Sequence, residues 1–317
     1  MTPPDPIVLG TRGSQLALWQ ANHVRSKLEA QGHRVVIETI RTTGDRVQGV
    51  PISEIGDESV FTKELDRALL SGDIHVAVHS LKDVPTRLPD GVVLAAVGER
   101  ESPYDAFVAH PSFQGRLEDL PEGATIATAS LRRKAQLKAW RADLTIVPVR
   151  GNVDSRLEKL DASDWHGMVL AVAGLTRMGL SVRIRQPISE DIMVPAVGQG
   201  ALGIACLVDE KGVHNVMRTA LHHEPTGWMT TAERSFLREV GGGCQVPMGA
   251  WARMDDDMLV VDGCIAAMDG AEAFRDRRRC APEDAASVGR TLAQDLLAEG
   301  GADVLHGILD RRLSSHP

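Results

Sequence analysis

Short strand-like runs alternate with helical patterns over the first two-thirds of this chain, and this alternation restricts the fold more than any other feature. Strand-like runs lie at residues 7–9, 35–40, 75–78, 125–127, 145–149 and 168–172. Helical patterns of apolar residues separate them, and a helix is the usual connection between parallel strands. The sequence therefore predicts an α/β fold with largely parallel sheets and helices on both faces.

After about residue 220 the pattern changes. A helical segment at 231–239 is followed by strand-like runs at 249–253, 258–266 and 272–279, and a last helix extends from about 282 to 299. Acidic and Gly-containing turns separate these strands, which is typical of hairpins. We expect a smaller α+β domain with an antiparallel sheet.

Composition excludes several classes of function. The formal net charge of −8 argues against a general nucleic-acid binder, and one Tyr with five Phe offers little surface for base stacking. The first residues lack the basic and apolar regions of a secretory signal, and the apolar runs are shorter than a membrane span. The four cysteines lack Cys-x-x-Cys spacing, so we expect reduced thiols and a cytoplasmic location, with no membrane or nucleic-acid partner.

Arginines lie with small polar residues at three predicted strand-to-helix junctions. Each cation at a helix N-terminus opposes the helix dipole by about 0.3–1 kcal/mol. Backbone N–H groups and guanidinium groups at such junctions bind carboxylates well, so the set predicts a polyanionic ligand. The junction residues are Arg12 with Ser14, Arg132 and Arg133 after Ser130, and Arg150 before Asn152, and Arg156 and Arg177 extend the set.

A polar turn follows the predicted strand at 75–78. Its Asp83, beside Lys82, could stabilise a cation or transfer a proton, although a turn aspartate that bonds its own backbone is an equal alternative. His75 and His79 are four residues apart on a strand without a third ligand at a recognisable spacing, so we predict no metal site.

Cys244 lies in a Gly-rich run, residues 241–247 (GGGCQVP). Glycines let a large group approach the sulfur, so the loop is suited to chemistry or attachment, although this loop by itself favours a buried free cysteine. His222 or His223 could serve Cys244 as a base in a cysteine hydrolase, but no orienting acid is evident.

Six motifs occur in an order that resembles the porphobilinogen deaminase (hydroxymethylbilane synthase) family. They are HSLKDVP at 79–85, SLRR at 130–133, RGNV at 150–153, LAVAGL at 170–175, PAVGQG at 195–200 and GGCQVP at 242–247. The resemblance extends from about residue 7 to beyond residue 300. It implies an α/β fold of two type II periplasmic-binding-protein-like lobes with a third, smaller α+β domain. Residues 1–102 and 200–220 would form the first domain, 103–199 the second and 221–317 the third.

The resemblance also implies a chemistry. A dipyrromethane cofactor would be held by a thioether to Cys244, and four porphobilinogen molecules would be added one at a time with loss of ammonia, before water releases hydroxymethylbilane. Asp83 would stabilise the cationic intermediate. The cofactor's carboxylates would be bound by Lys82, Ser130, Arg132, Arg133 and Arg150, with Asp83 also contacting the cofactor. Substrate would be bound by Arg12, Ser14, Arg150, Arg156, Arg177, Phe61 and Gln199. A monomer is expected.

One segment departs from the family pattern. Where members usually carry a basic Gly-rich loop, this chain has the acidic residues 54–59 (EIGDES). We expect this loop to repel a polycarboxylate and to weaken its retention. Two alternatives to a transferase remain at this stage, a carboxylate-binding protein without catalysis and the cysteine hydrolase.

Overall fold

A computed structural model describes residues 3–46, 61–208, 212–241 and 246–307, with only the backbone of residues 45 and 46. The strands are β1 (Ile7–Thr11), β2 (Val35–Thr39), β3 (Val76–Ser80), β4 (Val92–Val97), β5 (Asp105–Ala109), β6 (Thr125–Ala127), β7 (Thr145–Val147), β8 (Gly167–Ala171), β9 (Gln186–Pro187), β10 (Leu202–Leu207), β11 (Met248–Asp255), β12 (Met258–Ala266) and β13 (Ala273–Cys280). The helices are α1 (Gln15–Glu29), α2 (Thr43–Arg46), α3 (Lys63–Ser71), α4 (Leu131–Trp140), α5 (Val153–Asp161), α6 (Val172–Arg177), α7 (Val213–Leu221), α8 (Glu224–Val240) and α9 (Ala285–Leu296).

The chain forms two compact units. Met1–Ser102 with Gly198–Gly227 form the first, and Pro103–Val197 with Trp228–Pro317 form the second. The three domain boundaries expected from the sequence stay a prediction. In the described parts of the chain, no helix combines the length and the apolar character needed to cross a membrane.

The first unit contains a five-stranded sheet in the order β2-β1-β3-β10-β4. β1 pairs in parallel with β2 and β3, with Leu9 opposite both Ile37 and Val76. α1 packs on this sheet through buried residues spaced at three to four positions, including Ala17, Ala21 and Val24. That spacing gives one apolar face, which explains why the segment is a helix.

The second unit contains a five-stranded sheet in the order β7-β6-β8-β5-β9 and a three-stranded sheet in the order β11-β12-β13. The smaller sheet is antiparallel throughout, and α9 covers it through Leu292, Ala293 and Leu296, all fully buried. The predicted α/β class and the predicted small antiparallel sheet are both confirmed.

Both larger sheets are mixed rather than largely parallel. β10 runs antiparallel to β3 and β4, and β5 runs antiparallel to β8 and β9. In the first sheet the cause is that β10 comes from a segment far along the chain, after residue 200, and is not joined to its neighbours by a crossover helix. Periodicity identifies a strand, but it does not show which strand, distant in the sequence, that strand will pair with.

Candidate functional site

Asp83 ends a short 3₁₀ turn, Leu81–Asp83, that directly follows β3 in the middle of the first sheet. Leu81 and Val84 anchor this turn because both are buried, and the Leu81 N–H donates to the Ala201 carbonyl at 3.0 Å. Asp83 itself is partly exposed. Among the residues that the structure describes, its carboxylate has no hydrogen-bond or ion-pair partner. In the described structure Asp83 therefore makes none of the local backbone hydrogen bonds that a purely structural turn aspartate makes.

Lys82 is held by Gln199. Its ammonium donates to Gln199 Oε1 at 3.3 Å, and the Gln199 carbonyl accepts from Arg100 Nε at 2.9 Å. Gln199 is 1% exposed, so it contacts Lys82 from a buried position. Gly200 has φ +90°, and a Cβ there would lie 2.2 Å from the Glu101 carbonyl oxygen. Only glycine therefore fits the turn that places Gln199 beside Lys82.

Arg12 and Phe61 lie together in the same unit. The Arg12 guanidinium is 4.2 Å from the centre of the Phe61 ring, a cation–π contact. Ser14 is the N-cap of α1, and its hydroxyl accepts from the Ala17 N–H at 3.3 Å. Burial, and secondly the nearby Arg12 charge, lower the pKa of His79 to about 4. His79 is therefore neutral at pH 7.

The two histidines considered as bases for a cysteine hydrolase have structural partners. His222 Nδ1 accepts from the Val97 N–H at 3.2 Å, and its Nε2 lies 3.3 Å from a Glu224 carboxylate oxygen. His223 Nδ1 is 2.8 Å from the Thr226 hydroxyl. Burial is the main reason that the pKa of His222 is lowered.

In the second unit, Ser130 is the N-cap of α4, as predicted, and its hydroxyl accepts from the Arg133 N–H at 3.4 Å. Arg132 and Arg133 follow in the first turn of α4, and both are buried. Arg132 holds the two carboxylate oxygens of Asp105 at 2.7 and 3.0 Å, and Arg133 Nε donates to the same carboxylate at 2.8 Å. Asp105 is fully buried.

The Asp105 carboxylate therefore supplies part of the negative charge that the arginines at this junction require. Sequence reasoning missed Asp105, although a carboxylate that opens a run of apolar residues, as at 105–108, calls for a buried partner. Burial lowers the pKa of Arg133, and Asp105 opposes that shift. Two guanidinium groups share one carboxylate, so the cluster keeps a net positive charge.

A second group of arginines lies around the start of α5. Arg156 Nε donates to the Gly151 carbonyl at 2.7 Å, and the Arg150 carbonyl accepts from Lys159 at 2.8 Å. Arg150 Nη1 is shielded from solvent but has no hydrogen-bond partner in the described part of the chain. A ligand carboxylate would supply that partner, so these residues fit a carboxylate-bearing group such as dipyrromethane. Arg177, partly buried, ends α6 in the same unit.

Cys244 and the acidic loop at residues 54–59 lie outside the described residues. The elements on either side of the Cys244 run are α8, which ends at Val240, and β11, which begins at Met248. Of the described cysteines, Cys206 and Cys264 are fully buried. Burial raises the pKa of Cys264 and Cys280, which disfavours their thiolates. These described thiols are therefore poorly suited to the attachment of a cofactor.

The chain matches one protein family over most of its length. The family model "Porphobilinogen deaminase, dipyromethane cofactor binding domain" matches residues 7–215, and the C-terminal domain of the same family matches residues 228–298. The chain is 46% identical to a porphobilinogen deaminase of Syntrophomonas wolfei over 299 residues, which covers 94% of this chain and 97% of the relative. It is 47% identical to that of Desulforudis audaxviator over 301 residues, covering 94% and 96%.

Among solved structures, the methionine-binding protein MetQ aligns with 68% of this chain and 89% of its own at a TM-score of 0.43 and 15% identity. The sequence matches are far stronger, and they extend over both compact units. The α/β class with a smaller α+β part, expected from the sequence, agrees with the two mixed sheets and the small antiparallel sheet of this chain. With two family models that together span most of the chain, and relatives above 40% identity over nearly all of it, this chain belongs to the porphobilinogen deaminase family.

Proposed function

We propose that this chain condenses four porphobilinogen molecules head to tail with Asp83 as its catalytic carboxylate. Family membership makes the chain a transferase of tetrapyrrole biosynthesis, a hydroxymethylbilane synthase that uses a dipyrromethane cofactor. The observation that supports the role of Asp83 is its carboxylate at the end of β3, which has no partner among the described residues. A carboxylate that is not engaged elsewhere can face a reacting cation.

The proposed role of Asp83 is electrostatic and acid–base. Loss of ammonia from porphobilinogen leaves a cationic methylene-pyrrolenine, and a fixed carboxylate stabilises such a cation most in a site that excludes water. The same carboxylate can accept the proton that leaves the pyrrole carbon at which the new bond has formed. Lys82, whose ammonium donates to Gln199, would bind a carboxylate of the ligand.

The arginines would bind the acetate and propionate groups of the pyrroles. Arg150 offers its unpartnered Nη1, and the buried cluster of Arg132 and Arg133 contributes a net positive charge to its surroundings. The remaining proposed ligand-binding residues are Arg12, Ser14, Phe61, Lys82, Ser130, Arg156, Arg177 and Gln199. A cofactor bound through Cys244 would supply the pyrrole to which the first unit is joined, and each later unit would be joined to the end of the growing chain.

The proposal also includes a monomer in the cytoplasm that acts without a nucleic-acid partner. The net charge of −8 supports the last of these, because nucleic-acid binding relies on a basic surface.

The first test is the intact mass of the purified chain under denaturing conditions, with peptide mapping of Cys244. We expect an excess mass of two linked pyrrole units on Cys244. A bare chain would next be incubated with porphobilinogen. If its mass still did not rise, the transferase proposal would fail and a carboxylate-binding protein would be the better account.

The role of Asp83 is tested by replacing it with Asn. Because the fixed negative charge is lost, kcat should fall by about 100-fold or more, while Asp83→Glu should keep part of the activity. Asp90→Asn is the matched control, since Asp90 is an exposed carboxylate just beyond the same segment. A kcat for Asp83→Asn within threefold of the control would refute the assignment.

A further inference from the structure

The backbone of Val194 is a junction in the second unit. Its carbonyl accepts from Arg132 Nη1 at 2.9 Å, so it fixes one of the buried arginines that Asp105 also holds. A Cβ on Gly249, at the start of β11, would lie 2.6 Å from the Val194 carbonyl oxygen. The small antiparallel sheet therefore approaches this peptide closely, and a shift of Val194 would move Arg132.

Gln136, on α4, determines the position of that peptide. Its side chain is fully buried, and its Oε1 accepts from the Val194 N–H at 2.8 Å while its Nε2 donates to the Val194 carbonyl at 3.1 Å. The Gln136 amide therefore binds both the N–H and the carbonyl of Val194, once as acceptor and once as donor. These two bonds form only with one of the two orientations of the Gln136 amide.

Arg275, on β13, stabilises the same orientation. Its Nη2 donates to Gln136 Oε1 at 3.0 Å and to the Ile192 carbonyl at 2.9 Å, and its Nη1 donates to the Asp191 carbonyl at 2.5 Å. A guanidinium only donates hydrogen bonds, so it requires the amide oxygen, not the amide nitrogen, to face it. The flipped amide would place two donors against Arg275.

We propose that Arg275 and Gln136 are positioning residues for the carboxylate-binding arginines of this enzyme. Arg275 on the small sheet orients Gln136, Gln136 holds Val194, and Val194 sets the guanidinium of Arg132 against Asp105. The element that follows the Cys244 run, β11, packs on the same peptide through Gly249. Through this chain of bonds the small sheet controls how the arginine pair meets the carboxylates of the cofactor. The inference rests on the proposed function, because it assumes that Arg132 and Arg133 bind those carboxylates.

The test uses Arg275→Ala, Arg275→Lys and the control Arg279→Ala. Arg279 is also an arginine of β13, but it pairs with Asp255 and makes no contact with Gln136. Chains prepared without cofactor are incubated with porphobilinogen, and intact mass follows the gain of two pyrrole units. Perturbations along such networks change coupling by about 2- to 30-fold. We therefore expect Arg275→Ala to load cofactor about 2- to 30-fold more slowly than wild type. The apparent KM of the loaded enzyme should rise by a similar factor.

Two further readouts separate positioning from general destabilisation. Arg275→Lys keeps the positive charge but only one donor nitrogen in place of two, so it should recover part of the loading rate. Gln136→Met combined with Arg275→Ala should load no more slowly than Gln136→Met alone, because both changes break the same path. The inference is overturned if Arg275→Ala loads at the rate of Arg279→Ala, or if the effects of Gln136→Met and Arg275→Ala multiply. If wild type itself gains no pyrrole mass, it is the proposed function that fails.

Discussion

Replacing Asp105 with Asn tests the buried arginine cluster directly. Asp105 is fully buried and accepts three hydrogen bonds of 2.7 to 3.0 Å from Arg132 and Arg133. Asparagine keeps the shape of the side chain but removes its charge, and its amide nitrogen would face a guanidinium. Both arginines, only 5–6% exposed, would remain charged without a counter-ion.

The expected magnitude follows from that burial. Breaking a buried ion pair by removing one partner lowers the free energy of unfolding by about 3–5 kcal/mol. At about 2–4 °C per kcal/mol for a unit of this size, the melting temperature should fall by about 6–20 °C. Both effects should be concentrated in the second unit, where Asp105 lies.

Urea unfolding monitored by tryptophan fluorescence provides the assay. Four of the five tryptophans, at positions 140, 165, 228 and 251, belong to the second unit, so the signal mainly reports its unfolding. The control is Asp161→Asn, whose ion pair with Arg183 at 2.6 Å is partly exposed to solvent and should contribute less than about 1 kcal/mol. An Asp105→Asn variant within 1 kcal/mol of that control would refute the argument that the cluster depends on this carboxylate.

Three other predictions concern stability and substrate retention. The pKa of His79 is about 4 in the folded chain, against 6.5 for an unperturbed histidine, so its contribution to stability is complete above pH 6.5 and is lost towards pH 4. Wild type should therefore lose about 2–5 kcal/mol more than His79→Gln over this range in urea titrations, and parallel curves would contradict it. Gly200→Ala should lower stability by more than Gly123→Ala, which has a similar positive φ but open space around its Cβ, and equal melting temperatures would exclude the clash. Glu58→Lys, in the acidic loop outside the described residues, should lower the apparent KM for porphobilinogen, and an unchanged or raised KM would count against repulsion by that loop.

Local signals predicted much of the fold. The strand at 125–127 and the N-cap at Ser130 are confirmed because each depends on neighbours along the chain. The direction of β10 was not predictable from periodicity, since Leu202–Leu207 pairs with strands more than 100 residues earlier. Alternation of apolar residues carries no information on such long-range pairing.

The same difference separates the predicted parts of the site from the missed ones. The arginines and Asp83 were found because they lie in or near local sequence patterns, and their roles in binding and catalysis stay proposals. Asp105, Gln136 and Arg275 were missed because each acts through a contact at least 25 residues away in the chain, with no local pattern to mark it. A sequence identifies which side chains carry charge, whereas a fold determines which charges are already balanced.

That balance explains how an acidic chain could hold an acidic ligand. The net charge of −8 belongs to the whole molecule, but the field at a buried site depends on its nearest charges, because screening by water is weak there. At the start of α4, two guanidinium groups face one carboxylate. Without Asp105 the two arginines would be harder to bury, whereas a second carboxylate would cancel their attraction for the ligand. One aspartate for two arginines keeps the cluster stable enough to bury while leaving it positive, and Asp105→Asn measures the stability side of that compromise.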